Sequence, residues 1–233
     1  MLYTHNDTGN VWTHAIAAVL FASLALMSDA TDILRLVFLV TFCAMACASS
    51  AYHMLRYTGH RAFEVTYGCD LGGTLATIVA TTNWLVALAF RCHPRARAVY
   101  AAAHNCAALP LALALPWLTH GAARGEDRWH LVGPLFLALV LSGTAPLVHA
   151  SVLSEADMLA ISFVAAMMCM YGVGAAVLFT KWPESSQSMS GRFDLWGNSH
   201  QIWHLCVVAG GLLGYAAGCI VAQHNVRHAC PTA

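Results

Sequence analysis

The sequence predicts an all-α membrane protein built as a seven transmembrane helix bundle. Of its 233 residues, 59% are apolar and only 9% are Asp, Glu, Lys or Arg, whereas a soluble domain carries about 25% charged residues. The mean hydropathy is +0.62. The apolar residues also fall into separate runs, each close to the roughly 20 residues that cross a hydrocarbon core as a helix.

Charged or Pro/Gly/Ser-rich breaks divide the chain into its spans. No Lys or Arg precedes the first apolar run, so we expect a retained helix and not a cleaved signal peptide. The longest connection, KWPESSQSMSGRFDLWGN, stays out of lipid because of its Lys, Pro, Glu and Ser residues. We therefore expect a single transmembrane domain over residues 1–233. Its predicted spans are about 11–27, 33–55, 70–90, 98–118, 131–148, 158–179 and 200–222.

Seven spans place the N-terminus and the second, fourth and sixth loops on one side of the membrane, here called face A. The C-terminus then lies on the opposite side, face B. The basic residues on face A are Arg56, Arg61, Arg124, Arg128, Lys181 and Arg192. Those on face B are Arg35, Arg91, Arg95, Arg97 and Arg227. This small excess on face A favours a cytosolic N-terminus, although the spacing of the spans alone leaves the orientation open.

Charge and cysteine usage narrow the function classes. The net charge is zero and no basic patch is present, so nothing neutralises a phosphate backbone and nucleic acid is excluded as a partner. The nine cysteines form no CxxC pair, and most of them lie inside apolar runs. We interpret them as small hydrophobic side chains.

Ionisable side chains at membrane depth are the main functional candidates, because each destabilises the bundle unless it is paired or lines a cavity. His53, Asp70, His200 and His204 all lie at the face A ends of spans two, three and seven. His200 and His204 project from one side of a helix, about one turn (5.4 Å) apart, and Ser49 has the same spacing to His53. Three imidazoles can occupy three corners of a tetrahedral zinc site and leave the fourth for water, as in catalytic zinc sites. The alternative is a metal-free polar network that closes one end of the bundle.

Other polar residues have simpler interpretations. His14, with Thr13 and Asn10, is interpreted as a hydrogen-bonded cluster at the start of span one. His104 and Asn105 lie in span four, where interhelical hydrogen bonds are their expected role.

Four segments in a fixed order carry a family resemblance. They are DTGNVWTH (7–14), SSAYH (49–53), Asp70, which follows His53 by 17 residues, and FDLWGNSHQIWH (193–204). Together they resemble the ordered signatures of the progestin and adipoQ receptor family, which includes the adiponectin receptors and the bacterial haemolysin III proteins.

The resemblance implies seven helices with a cytosolic N-terminus and a zinc ion bound by His53, His200 and His204. It also implies that Asp70 and Ser49 hold the water at the zinc and do not bind the metal directly. Some members of the family hydrolyse the amide of ceramide, and others are described as hormone receptors. Only about ten residues precede the first span here, which is more similar to the haemolysin III members than to the adiponectin receptors.

Zinc in such a site activates water and polarises a carbonyl group, as amide hydrolysis requires. The hypothesis is a zinc-dependent amidase for ceramide-like lipids on the cytosolic side, with Asp70 as proton shuttle and Ser49 orienting the water. The alternative is a non-enzymatic receptor in which zinc is structural. Either function implies a lipid or lipid-like ligand. Transport ranks last, because the ionisable candidates crowd one end of the bundle.

Overall fold

The computed structural model describes residues 5–126, 128–153, 157–189 and 191–230, and in these ranges every regular element is helical. This confirms the prediction of an all-α bundle. The α-helices are α1 (Thr8–Leu26), α2 (Ile33–Leu55), α3 (His60–Ala89), α4 (Pro94–Thr119), α5 (Trp129–Ser142), α6 (Thr144–Ser151), α7 (Met158–Thr180) and α8 (Ser199–Arg227). Short 3-10 turns cover Ala122–Arg124 and Gln187–Met189.

These helices provide seven stretches that are long and apolar enough to cross a membrane, as predicted. The fifth stretch consists of α5 and α6, which meet at Gly143. Pro146 lies in the first turn of α6 and has no N–H to donate to the carbonyl of Ser142, so the helical hydrogen-bond ladder is interrupted there. The predicted span of 131–148 falls within this stretch, but the prediction treats it as one continuous helix and does not include the break at Gly143.

Helix α3 begins ten residues before the predicted third span. It contains 30 residues, which gives a length of about 45 Å against a hydrocarbon core of about 30 Å. Its first turns therefore extend beyond the core and carry charge. The carboxylate of Glu64 accepts a hydrogen bond from the Gly121 N–H at 2.8 Å and lies 3.7 Å from the Arg124 guanidinium group. This contact attaches the first turns of α3 to the loop before α5, and Glu and Arg residues are themselves good helix formers in water.

Glycines on α8 let this helix pack tightly against its neighbours. At each of them an added methyl group would lie within 3 Å of a side chain on α2, α3 or α7. The pairs are Gly210 with Tyr171, Gly211 with Phe42, Gly214 with Met167, and Gly218 with Trp84. Phe42 and Trp84 are almost completely buried. The axis of α8 is therefore held close to α2, α3 and α7 along most of its length.

The face B end of α8 is attached to the end of α3 by covalent and polar bonds. Cys92 forms a disulfide with Cys230. The Arg91 guanidinium group donates hydrogen bonds to the carbonyls of Asn225 and His228. Our interpretation of all nine cysteines as small hydrophobic side chains is therefore wrong for this pair. Both cysteines lie outside the apolar runs and on the same face, which is the signal in the sequence that identifies them.

Polar side chains inside the bundle pair across helices as expected. Nδ1 of His104 lies 2.9 Å from the Ser142 hydroxyl, which links α4 to α5. The side-chain amides of Asn83 and Asn105 exchange two hydrogen bonds, of 3.0 and 3.3 Å, between α3 and α4. Such bonds are worth about 0.6 to 2 kcal/mol each in a membrane.

We predict that Gly211→Ala and Gly218→Ala each destabilise the bundle by about 1–3 kcal/mol, because the new methyl group forces an aromatic ring out of its packed position. Thermal unfolding in detergent measures the effect. Gly172→Ala on α7 is the matched control, since a methyl group there meets no atom within 4 Å and should stabilise the helix slightly. Equal unfolding midpoints for the three variants would contradict the close packing of α8.

Candidate metal centre

Three histidines from two helices meet near face A. His53 lies at the end of α2, and His200 and His204 lie in the first two turns of α8. Their ligand nitrogens all lie within 4.8 Å of one another. His53 and His204 are 1% and 2% exposed, so water does not satisfy these rings from outside. The expected proximity of His53, His200 and His204 is therefore present in the structure.

The cluster has dimensions that suit a tetrahedral metal. Zinc binds imidazole nitrogen at about 2.0–2.1 Å, which places two nitrogens of a tetrahedral site about 3.3 Å apart. Nε2 of His53 lies 3.1 Å from Nε2 of His200. The ring centroids of His200 and His204 are 4.6 Å apart, as their spacing of one helical turn requires. Three imidazole donors leave one tetrahedral position for water or substrate.

Asp70 and Ser49 form a pair that connects α3 to α2 one helical turn from His53. Ser49 lies one helical turn before His53 on α2 and is 1% exposed. Its side chain hydrogen-bonds the carboxyl group of Asp70 on α3. Asp70 does not belong to the group of converging ligand atoms, which contains only the three histidines among the described residues. The roles predicted for Asp70 and Ser49 remain predictions, and the structure adds the contact between the two side chains.

The first turns of α1 supply hydrogen-bond partners to two of the histidines. Oδ1 of Asp7 lies 3.0 Å from Nδ1 of His53. On the next turn, the Thr13 hydroxyl lies 3.0 Å from Nδ1 of His204, and the ring of His14 stacks on the ring of His204 with centroids 3.7 Å apart. The residues interpreted as a local cluster at the start of span one therefore also reach the candidate metal centre.

Asp7 is ionised at neutral pH although only 5% of it is exposed. Burial alone would raise the pKa of this carboxyl group, but its hydrogen bonds with His53, Tyr57 and Asn10 outweigh burial and hold the pKa well below its usual value. Tyr57 and Asn10 each donate to the carboxylate at 2.7 Å. The site thus contains one buried negative charge next to His53.

The loop before α8 fixes the start of the helix that carries two of the histidines. The Asn198 side chain caps α8 by accepting a hydrogen bond from the Gln201 N–H at 3.0 Å. Glu184 accepts hydrogen bonds from both the N–H and the hydroxyl of Ser199. The Gln201 side chain donates to the carbonyl of Leu195 at 2.8 Å. These bonds keep His200 and His204 at a constant depth.

A largely apolar cavity of about 180 Å³ begins next to the site. Its lining includes Met45 and Thr74, which lie one helical turn from Ser49 and Asp70, and Trp203, which precedes His204. From there the cavity continues between α3, α5, α6, α7 and α8 to Arg91 and Asn225 at face B. The sequence alone does not define this cavity, because its lining comes from six helices that are far apart in the chain.

Comparison with known proteins adds a family match. The family model described as "Haemolysin-III related" matches residues 2–215. The chain is 33% identical over 193 residues to the heptahelical transmembrane protein ADIPOR1 of Oryza sativa subsp. japonica, covering 81% of this chain and 50% of that protein. It is 35% identical over 186 residues to ADIPOR2 of the same plant, covering 78% and 79%.

An animal protein matches over nearly the whole chain. Identity to the adiponectin receptor protein of Drosophila melanogaster is 25% over 240 residues, covering 96% of this chain and 52% of that protein. The chain thus spans about half the length of ADIPOR1 and of the Drosophila receptor.

We predict that the purified protein binds about one divalent transition-metal ion per chain, and that His200→Ala and His204→Ala lose most of it because three ligands become two. Elemental mass spectrometry of protein prepared without chelators gives the stoichiometry. The control is His120→Ala, since this histidine is exposed and lies outside the cluster. A metal-free wild type, or variants that keep the wild-type metal content, would contradict the assignment.

Proposed function

The chain belongs to the haemolysin-III-related family, and from this premise we propose that it is a zinc-dependent amidase for ceramide-like lipids, folded as one domain over residues 1–233. The observation that carries the proposal is a hydrogen-bonded Ser49–Asp70 pair whose serine lies one helical turn from His53, one of three converging imidazoles. A purely structural metal site needs only the ligands. A carboxylate and a hydroxyl held next to them are what hydrolysis requires in addition.

His53, His200 and His204 would hold the zinc. When bound, zinc lowers the pKa of water towards 7 and polarises an amide carbonyl group. The three histidines are neutral ligands, so the net positive charge of the metal is retained for this purpose. Asp7 balances part of that charge from behind His53, at 3.0 Å from its Nδ1.

Asp70 would move the proton. Its carboxylate accepts a proton from the attacking water as the new C–O bond forms, and then passes that proton to the amine nitrogen as the C–N bond breaks. The products are a fatty acid and an amine. Ser49, which hydrogen-bonds the carboxyl group of Asp70, would orient the water.

The cavity beside the site supports a lipid as the substrate. Its surface is mainly apolar, and it begins one helical turn from both Ser49 and Asp70. An acyl chain in this cavity would place its amide group at the level of the histidines. An apolar lining gives an acyl chain surroundings as apolar as the lipid that it leaves, so that entry from the membrane exposes no hydrocarbon to water.

The disulfide supports an orientation with the N-terminus in the cytosol. Seven crossings place Cys92 and Cys230 on face B, opposite the metal centre. Disulfides persist in oxidising compartments and are rare in the cytosol. Face B would therefore lie outside the cell or in a lumen, and the metal centre would open towards the cytosol, as the basic excess on face A also favours.

The second candidate function is a receptor in which zinc has a structural role. One of the matched relatives is named adiponectin receptor protein. The metal would then join α2 to α8, and a ligand in the cavity would change the packing of these helices. Such a role requires the three histidines but no proton transfer by Asp70.

We predict that Asp70→Asn lowers the hydrolysis of a short-chain fluorescent ceramide at least 100-fold, in keeping with the loss of a general acid–base group. The zinc content should stay at the wild-type level, because Asp70 does not belong to the ligand group. Asp29→Asn, in the exposed loop between α1 and α2 on face B, serves as the control. Full activity of Asp70→Asn would refute the proton shuttle. A wild type that binds zinc but hydrolyses no amide would favour the receptor.

We also predict on which side of the membrane individual cysteines lie. In intact cells, a membrane-impermeant reductant followed by an impermeant maleimide should label Cys92 and Cys230, which are bonded to each other on face B. A Thr58→Cys variant places a thiol at an exposed position on face A and should be labelled only after permeabilisation. The reverse pattern would show that the N-terminus lies outside the cytosol.

A further inference from the structure

The position of one proton on each histidine decides whether the cluster can hold a metal. A neutral imidazole has one N–H group and one nitrogen lone pair, and only the lone pair binds a metal ion. The converging atoms include Nε2 of His53 and Nε2 of His200, 3.1 Å apart. These nitrogens can face a metal only if the ring proton of each histidine lies on Nδ1.

The contacts of Asp7 place the proton of His53 on Nδ1. Oδ1 of Asp7 lies 3.0 Å from this nitrogen. The Asp7 carboxylate can only accept hydrogen bonds, and its other partners are all donors: Tyr57 and Asn10, each at 2.7 Å, and the Arg56 guanidinium group at 4.0 Å. Nδ1 of His53 must therefore donate. The lone pair of the ring is left on Nε2, which is the atom that faces His200.

The contacts of Thr13 do the same for His204. The Thr13 hydroxyl has a single hydrogen, and it donates this hydrogen to the carbonyl of Asn10 at 2.9 Å. Its oxygen can then only accept from Nδ1 of His204, at 3.0 Å. His14 stacks on the same ring with an interplanar angle of 8°, which limits its rotation. The lone pair of His204 is again on Nε2.

We propose that Asp7 and Thr13 are positioning residues, which hold His53 and His204 in the one tautomer and ring orientation that can bind the metal. The proposal rests on the proposed zinc site and extends it to α1, which contributes no metal ligand. The rings of His53 on α2 and His204 on α8 are thus both oriented from the start of α1, by two residues six positions apart. Partners of this kind behind a metal ligand typically change metal affinity by about 10- to 100-fold.

The test measures the zinc dissociation constant of the full-length protein in detergent by competition with a chromophoric chelator. Asp7→Ala and Thr13→Val should each weaken zinc binding by about 10- to 100-fold. Thr13→Ser keeps the hydroxyl and should restore the wild-type value. The visible absorption spectrum of the cobalt-loaded protein reports the ligand geometry, and it should change in Thr13→Val but not in Thr13→Ser.

A matched control separates positioning from folding. Asp157 pairs with His224 at 3.4 Å and caps α7 on face B, so it is also an Asp–His contact at a helix start. Asp157→Ala should lower the thermal unfolding midpoint of the zinc-free protein and leave zinc affinity unchanged.

Three outcomes would overturn the proposal. Zinc affinity of Asp7→Ala and Thr13→Val equal to that of the wild type would refute the positioning role while leaving the three-histidine site intact. If Thr13→Ser does not restore the zinc affinity, the loss in Thr13→Val comes from altered folding and not from the missing hydroxyl group. A wild type without zinc affinity would refute the proposed function, and with it the positioning role, and this result is distinct from the other two.

Discussion

Close polar contacts connect Asp7 through His53 to His200, and Thr13 to His204, and the arrangement of the bundle depends on them. An imidazole or carboxylate at membrane depth is strongly destabilising unless it has a partner, so these side chains must meet. They come from α1, α2 and α8. The contacts of 3.0 and 3.1 Å therefore require the start of α1, the end of α2 and the start of α8 to lie at one depth.

The backbone packing of α8 makes this meeting possible. Glycines at positions that face Phe42, Met167 and Trp84 allow α8 to approach three neighbouring helices. Its first turn is capped by Asn198, and its last turns are joined to α3 through Arg91 and the disulfide. A helix that is fixed at both ends and in the middle does not slide along its axis. The depth of His200 and His204 is therefore set by contacts along the whole length of α8.

Much of the fold and part of the site can be predicted from the sequence. Hydropathy finds the seven crossings because lipid imposes a length on each, and the spacing of His200 and His204 predicts a shared helix face. The early start of α3 is missed because hydropathy ends a span at charged residues such as Glu64, although these residues continue a helix in water. The contacts of Asp7 and Thr13 escape because each joins residues that local patterns do not connect. The disulfide joins distant residues too, and only the position of its cysteines outside the apolar runs indicates it.

The crossing formed by α5 and α6 lines the cavity but carries none of the three clustered histidines. Gly143, Pro146 and Ala150 of this crossing line the cavity. The three clustered histidines and the described residues that hydrogen-bond around them lie instead on α1, α2, α3 and α8 and in the loops beside these helices. Substitutions in α5 and α6 can therefore alter the width and length of the cavity without moving a histidine. The bundle thus separates two properties of the molecule: α5 and α6 set the size of the cavity, and the other helices set the geometry of the histidine cluster.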